Sequence, residues 1–246
     1  MSLGLSSLSY SSKTINEVIA LAKSCNLDYI KWCDCHIAPC DFQKAEETFF
    51  LMKKAGITCP QYYSSFDLYS SQNPEEEFSA VLKIADILGA DSVCLCAGNV
   101  TYENADEEYL ALFLARLDVI SKLAEKENKN LSFKFLRDTL FDNYMTAISL
   151  LMELDYKNVF INWQPNACVS LLYSLFELKT LINYVENVNI ILKNFDENYP
   201  SMIECQDDWR QYINILRTKK RYLFIETAGS EEDLKSDTEI LKKLMK

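Results

Sequence analysis

One segment concentrates residues that could hold a metal or move a proton: Lys31-Trp32-Cys33-Asp34-Cys35-His36, with Cys40 four residues further on. His36 is the only histidine in the chain. Cys, Cys and His are the residue types of a zinc or iron–sulfur site. The Cys-x-Cys-His spacing departs from the usual Cys-x2-Cys form, however, and no second Cys/His pair is evident, so buried or loop thiols are the simpler expectation. Ser7 and Ser9 show no nucleophile elbow with which His36 would build a triad. His36 is kept as a candidate ligand contact. The other chemistry-bearing residues are Lys134, in Phe133-Lys134-Phe135-Leu136-Arg137, and Glu226, at the end of Tyr222-Leu223-Phe224-Ile225. A lysine nucleophile that forms a Schiff base must be desolvated and lowered in pKa.

Periodicity supplies the elements that must position these groups. Short β-rich runs are expected at residues 3–7, 29–32, 58–63, 92–96, 131–135, 159–163, 188–192 and 222–225. Successive runs begin roughly 25–40 residues apart, the room a β-then-α unit needs. Amphipathic stripes lie between them, such as Phe78, Val81, Leu82, Ala85 and Leu88, and the long series from Leu110 to Leu123. Asn73-Pro74 before three glutamates, and Ser230 before Glu231-Glu232-Asp233, are helix start signals. Gly56 and Gly89 stand where left-handed C-caps are wanted. Eight such units with no composition break predict a single (β/α)8 barrel over residues 1–246. An open doubly wound sheet would show a Gly-rich loop after its first strand, and Ser6-Ser7-Leu8-Ser9-Tyr10 is not one.

In such a barrel, function lies at the C-terminal strand ends and the loops after them. Those ends bring up Trp32, Tyr62, Tyr63 and Trp163, flat walls for a sugar ring, with amides such as Gln164 and Asn166 for its hydroxyls. The alternative is that these aromatics only plug the barrel top.

Composition excludes other classes. A net charge of −11 with interspersed signs opposes nucleic acid as a partner, because phosphate binding needs a basic surface. No apolar run reaches a membrane span, and residues 1–10 lack the pattern of a signal peptide. Nine irregularly spaced cysteines suggest reduced thiols, hence a cytoplasmic protein.

The first strand with Tyr10, Lys31 to His36, Thr139-Leu140, Asn158 to Asn166 with its Trp163-Gln164-Pro165-Asn166 run, and Tyr222 to Glu226 together resemble the xylose isomerase-like TIM barrels, the sugar phosphate isomerase/epimerase group. The resemblance covers nearly the whole chain. It implies a sugar or sugar-phosphate isomerase or epimerase. It also implies a divalent metal (Mn, Mg or Zn) held by Glu, Asp, His and Glu of strands five to eight, and pairing of barrels into a homodimer through loop surfaces. Lys134 falls at the strand-five Glu, Leu136 at the following His and Gln164 at the strand-six Asp. The strand-seven His falls near Ile191 or Asn194, Glu226 matches the strand-eight Glu, and Lys31 takes the place of a strand-two acid.

Only Glu226 and Gln164 remain as candidate metal ligands, so no metal or other cofactor is expected. Lys134 is expected to enter the vacated metal space and pair with Glu226, a neighbour that would raise its pKa and oppose Schiff-base chemistry. Two readings stay open. One is an isomerase or epimerase acting through Glu226 and Lys134 on a sugar held by Trp32, His36, Tyr62, Trp163, Gln164 and Asn166. The other is a non-catalytic carbohydrate-binding or regulatory barrel, a pseudoenzyme. The DNA-repair endonucleases of the group, rich in His ligands, fit a one-histidine acidic chain poorly.

Overall fold

The strands carry apolar residues at the positions that face the helices and polar ones at the positions between, and this alternation builds the architecture. A computed structural model describes residues 1–246 apart from 155, 167, 193–199 and 227–229. Among the described residues, eight strands alternate with eight α-helices. They are β1 (Ser2–Ser6), α1 (Ile15–Ser24), β2 (Ile30–Cys33), α2 (Phe42–Ala55), β3 (Gln61–Tyr63), α3 (Pro74–Ile87), β4 (Ser92–Leu95) and α4 (Glu107–Lys126). The second half holds β5 (Asn130–Lys134), α5 (Tyr144–Leu154), β6 (Val159–Trp163), α6 (Leu171–Leu181), β7 (Val185–Ile191), α7 (Met202–Leu216), β8 (Tyr222–Glu226) and α8 (Glu231–Leu244). All neighbours pair in parallel, and β1 closes on β8 through Leu3 opposite Leu223 and Leu5 opposite Ile225. The result is the single (β/α)8 barrel. No helix among the described residues is long and apolar enough to cross a membrane.

Local chemistry explains most element boundaries. Thr14 with Glu17, Ser201 with Glu204, and Ser230 with Asp233 form reciprocal capping boxes. Asn73 holds the N-cap position of α3 with Pro74 inside the first turn, but its side chain donates to Glu76 instead of capping. The Asn73 backbone N–H donates to Glu77 Oε1. Gly56 and Gly89 take positive φ where α2 and α3 end. The third strand starts at Gln61, not at the expected Thr58, because Pro60 has no N–H for the ladder; Thr58 makes only an isolated bridge to Tyr29.

Between helices and barrel lies a continuous apolar layer that includes Leu5, Ile30, Val93, Leu131, Ile161, Val188 and Ile225. The barrel interior, by contrast, is largely polar. At its N-terminal end Gln61 Nε2 donates to Ser92 Oγ at 3.1 Å, Ser132 Oγ at 2.9 Å and Glu186 Oε2 at 3.4 Å. Asn130 Nδ2 donates to Glu186 Oε1 at 2.9 Å. Glu186 reaches these partners through a register shift opposite Ile161 and Asn162, a bulge that changes which residues of β7 face inward.

Arg221, fully buried just before β8, closes that end of the second half. Its guanidinium donates to the carbonyls of Val185, Leu216 and Ile182, the last two at the C-termini of α7 and α6. A cation there satisfies orphan helix carbonyls and matches the negative end of the helix dipole. Replacing Arg221 with Met strands three buried carbonyls; the unfolding free energy should fall by about 2–4 kcal/mol, read from urea denaturation.

Candidate active site at the C-terminal mouth

Lys31, on β2, sits inside the barrel with its whole side chain buried. Its Nζ donates to Glu226 Oε1 at 2.6 Å and to Asn189 Oδ1 at 2.5 Å. Glu226 ends β8 and also accepts from Ser6 Oγ of β1 at 3.0 Å. Lys134, the last residue of β5, approaches the other carboxylate oxygen at 3.6 Å, and its ammonium lies 4.4 Å over the Tyr63 ring. Asn162 of β6 donates to Asn189 Oδ1 and Cys94 Sγ, and Asn189 Nδ2 donates to Gln164 Oε1 at 3.3 Å. Side chains of opposed strands meet in this cluster, which only the interior of a closed barrel permits.

Electrostatics fixes the charge states. Burial pushes the Glu226 carboxyl up, but the Lys134 and Lys31 ammoniums, with hydrogen bonds from Lys31 and Ser6, outweigh it and hold the group down at about 2. Burial pulls the Lys134 ammonium down, and the charge of Glu226, followed by the nearby Cys94, Cys96 and Cys33, outweighs it so that its pKa is raised. Two lysines thus share one carboxylate. Asn162 Oδ1 is buried in the same cluster without a partner, an acceptor free for a hydroxyl or a water.

The residues singled out from the sequence divide by strand parity. Glu226, Lys134 and Gln164 are brought together at the mouth. Gln164 and Asn166 line a cavity of about 50 Å³ with Phe135, Leu136, Arg137 and Asp142. Trp32, Tyr62 and Trp163 do not wall this space. They alternate with the inward Lys31, Tyr63 and Asn162 and therefore point to the helices. Trp32 Nε1 donates to Met52 Sδ and the Tyr62 hydroxyl donates to the Ile37 carbonyl. Trp163 Nε1 donates to Glu177, whose carboxyl is pushed up by burial to about 7. All three side chains are fully buried, so the expectation that they face a ligand gives way to Tyr63 as the aromatic at the mouth. His36 is likewise buried away from the cluster, its Nε2 against the carbonyls of Tyr10 and Lys13. Of the two positions near the expected strand-seven ligand, Ile191 ends β7 and Asn194 lies outside the described residues.

Lys31, Asn162, Asn189 and Ser6 were not named as site residues from the sequence. Period-two alternation from Lys134 and Glu226 points to Ser132 and Phe224 as inward, and the same parity applied to β2 and β6 finds Lys31 and Asn162. Asn189 keeps the same parity between Val188 and Ile190, beyond the bulge at Glu186, but β7 ends in apolar Ile190-Ile191, with no charged residue there to mark that parity.

The donor chemistry of this cluster does not fit a hard divalent cation. Mg²⁺ and Mn²⁺ want several anionic oxygens, and here one carboxylate presents both oxygens to ammonium groups, with amides around it.

No protein-family model matches the sequence, and no curated protein matches it significantly. Solved structures do match in fold. A probable 3-DHS dehydratase, AsbF, from Bacillus anthracis is 14% identical, with 98% of this chain and 99% of that chain aligned at a TM-score of 0.79. A D-allulose 3-epimerase from Methylomonas sp. is 14% identical over 99% and 98% of the two chains, with a TM-score of 0.76. A xylose isomerase-like TIM barrel protein from Mycobacterium smegmatis, solved in complex with magnesium, is 14% identical over 99% and 96%, with a TM-score of 0.72.

Two outcomes follow from the cluster. Glu226→Gln leaves two buried ammoniums without a counter-charge, and the unfolding free energy at neutral pH should drop by about 3–5 kcal/mol. Because the folded carboxyl is depressed, its contribution is present above the ordinary value of 4.5 and is lost as pH falls toward about 2, so this part of the acid sensitivity should vanish in Glu226→Gln. Denaturant melts of both proteins across that window measure it. Lys134, held protonated, should give no borohydride-trapped adduct with keto acids or sugars, and a mass shift on Lys134 would overturn its assignment as a fixed cation. At this level of similarity the comparisons establish architecture: the chain has the fold of the xylose isomerase-like TIM barrels.

Proposed function

We propose that this protein binds a sugar-type ligand at the C-terminal mouth of the barrel, with the Lys31–Glu226–Lys134 centre standing where the family pattern has a divalent metal. The observation that carries the reading is the pairing of both lysines with Glu226 inside the barrel. An ammonium can polarise or anchor a ligand oxygen without a metal, and a centre with one more cation than anion favours a sugar acid or phosphorylated sugar over a neutral sugar. The orphaned Asn162 Oδ1 and the amides of Gln164 and Asn166 supply acceptors and donors for hydroxyls.

The cluster is better suited to holding charge than to moving protons. Glu226 is locked as a weakly basic carboxylate with both oxygens engaged, and Lys134 is locked as an acid too weak to donate near neutral pH. Ser6, Asn162, Asn189 and Gln164 are neutral, which favours the non-catalytic, carbohydrate-binding reading. One feature favours the isomerase or epimerase reading instead: Asp142, whose carboxyl burial raises, lines the small cavity beside Gln164 and is a candidate proton carrier. The three named neighbours above include a sugar epimerase and a dehydratase, which supports a sugar-type ligand for either reading. Nine free cysteines support a cytoplasmic setting.

Thermal unfolding with a panel of neutral sugars, sugar acids and sugar phosphates tests the proposal. A matching ligand at a hundred times its Kd should add about 2.7 kcal/mol of stability, unchanged by EDTA. Lys134→Gln keeps the Lys31–Glu226 pair, so it should fold and lose that stabilisation. Stabilisation that requires added Mg²⁺ or Mn²⁺, or that survives Lys134→Gln, would sink the assignment. Conversion of a ketose to its epimer that Asp142→Asn abolishes would establish the isomerase reading.

A further inference from the structure

Among the described residues, one group of His, Cys, Asp and Glu side chains converges closely enough to hold a metal ion, and it lies outside the Glu226 cluster. It consists of Cys33, Cys35 and His36, whose ligand atoms lie within 4.8 Å of one another. Cys33 ends β2 and is fully buried beside Tyr63 and Cys94, whereas Cys35 is exposed in the following loop. The turn that brings them together is held by the backbone: the amides of His36 and Ile37 both donate to the Cys33 carbonyl, and the Cys33 amide donates to Ser7 Oγ. The Cys35 amide donates to Cys33 Sγ at 3.4 Å, the kind of hydrogen bond that stabilises a metal-bound thiolate.

The histidine supplies the second, independent observation. His36 Nε2 lies 3.1 Å from the Tyr10 carbonyl and 3.2 Å from the Lys13 carbonyl. Carbonyls only accept, so Nε2 carries a proton, and in the neutral imidazole the Nδ1 lone pair is turned toward Cys35 Sγ at 3.2 Å. A ring whose far nitrogen is anchored by backbone oxygens while the near one faces thiols is the arrangement of a metal-ligating imidazole. The ring is further fixed edge-on against Trp32 at 5.5 Å.

The geometry points to a site for one thiophilic d10 cation, Zn²⁺, bound by Cys33 Sγ, Cys35 Sγ and His36 Nδ1. Two thiolates and a neutral imidazole neutralise Zn²⁺, and loading releases the two thiol protons. Three protein ligands leave the fourth tetrahedral position open, as in catalytic rather than structural zinc sites. Exposed Cys35 and His36 line a cavity of about 420 Å³ together with Lys13, Thr14, Lys44 and Glu47, so the site is open to solvent on that side. Cys40, named with this motif from the sequence, is exposed and is not part of the converging group.

Purified, reduced protein stripped with chelator and then titrated with Zn²⁺ should bind one equivalent per chain. Substitution with Co²⁺ should give thiolate-to-cobalt charge-transfer absorption with tetrahedral visible bands. Cys35→Ser changes an exposed side chain and should fold, yet weaken zinc binding beyond the ~10–100-fold attached to outer-shell partners. His36→Gln should alter the cobalt spectrum. Cys168→Ser, which removes an exposed thiol elsewhere, should change neither. Absence of the charge-transfer band, or zinc binding and a cobalt spectrum unaltered by Cys35→Ser, would overturn the site.

Discussion

Everything at the C-terminal end of the barrel is organised around one carboxylate that must compensate two buried ammonium groups. Lys31 and Lys134 enter the interior from β2 and β5, and Glu226 meets both from β8. A buried charge without a partner is strongly unfavourable, so neither lysine can turn away and the carboxylate cannot protonate without loss of the arrangement. Ser6, Asn189, Asn162 and Gln164 complete the shell by hydrogen bonding, and through them β1, β6 and β7 are tied to the same point. Because these contacts run across the interior, they fix barrel register as well as local charge.

The same cluster decides what the mouth can do. A metal-centred sugar isomerase needs a carboxylate-rich mouth; here the cationic positions are covalent parts of the chain. Cation and counter-charge are therefore preorganised and cannot be exchanged or removed. That arrangement is one of fixed charges: the ammonium groups hold the Glu226 carboxyl down at about 2, and the Glu226 charge raises the Lys134 pKa. Metal-binding capacity, in turn, is placed at the end of β2, where thiols and a backbone-anchored imidazole suit a softer ion than oxygen ligands do.

Much of the architecture was legible beforehand. Strand and helix periods differ, the eight runs recur at βα spacing, and capping residues such as Thr14 and Ser230 mark helix starts, all of which are local properties. The Lys134–Glu226 pair was also legible, since the two residues end the fifth and eighth strands and those ends converge at the mouth of a barrel. The aromatic walls were not. Trp32, Tyr62 and Trp163 stand next to inward residues, and being one position off turns each of them to the helix side of the sheet. Pro60 shortened β3, and Asn189 stood next to the apolar Ile190-Ile191 end of β7, with no charged residue there to mark its parity.

What the sequence determined by itself was the run of β-then-α units, the polar character of alternate strand positions, and the replacement of acids by Lys31 and Lys134. Tertiary structure decided which of those polar positions meet. Barrel closure brings residues more than a hundred apart in sequence, such as Lys31 and Glu226, to 2.6 Å, and that proximity depends on stagger and strand tilt that no local pattern encodes. It also decided that Lys31, and not Lys134 alone, is the closer partner of the carboxylate, and that His36 converges with Cys33 and Cys35, its Nδ1 against Cys35 Sγ. The physical reason is common to both: periodicity chooses a face, whereas the distance between faces belonging to different strands is set only when the sheet closes.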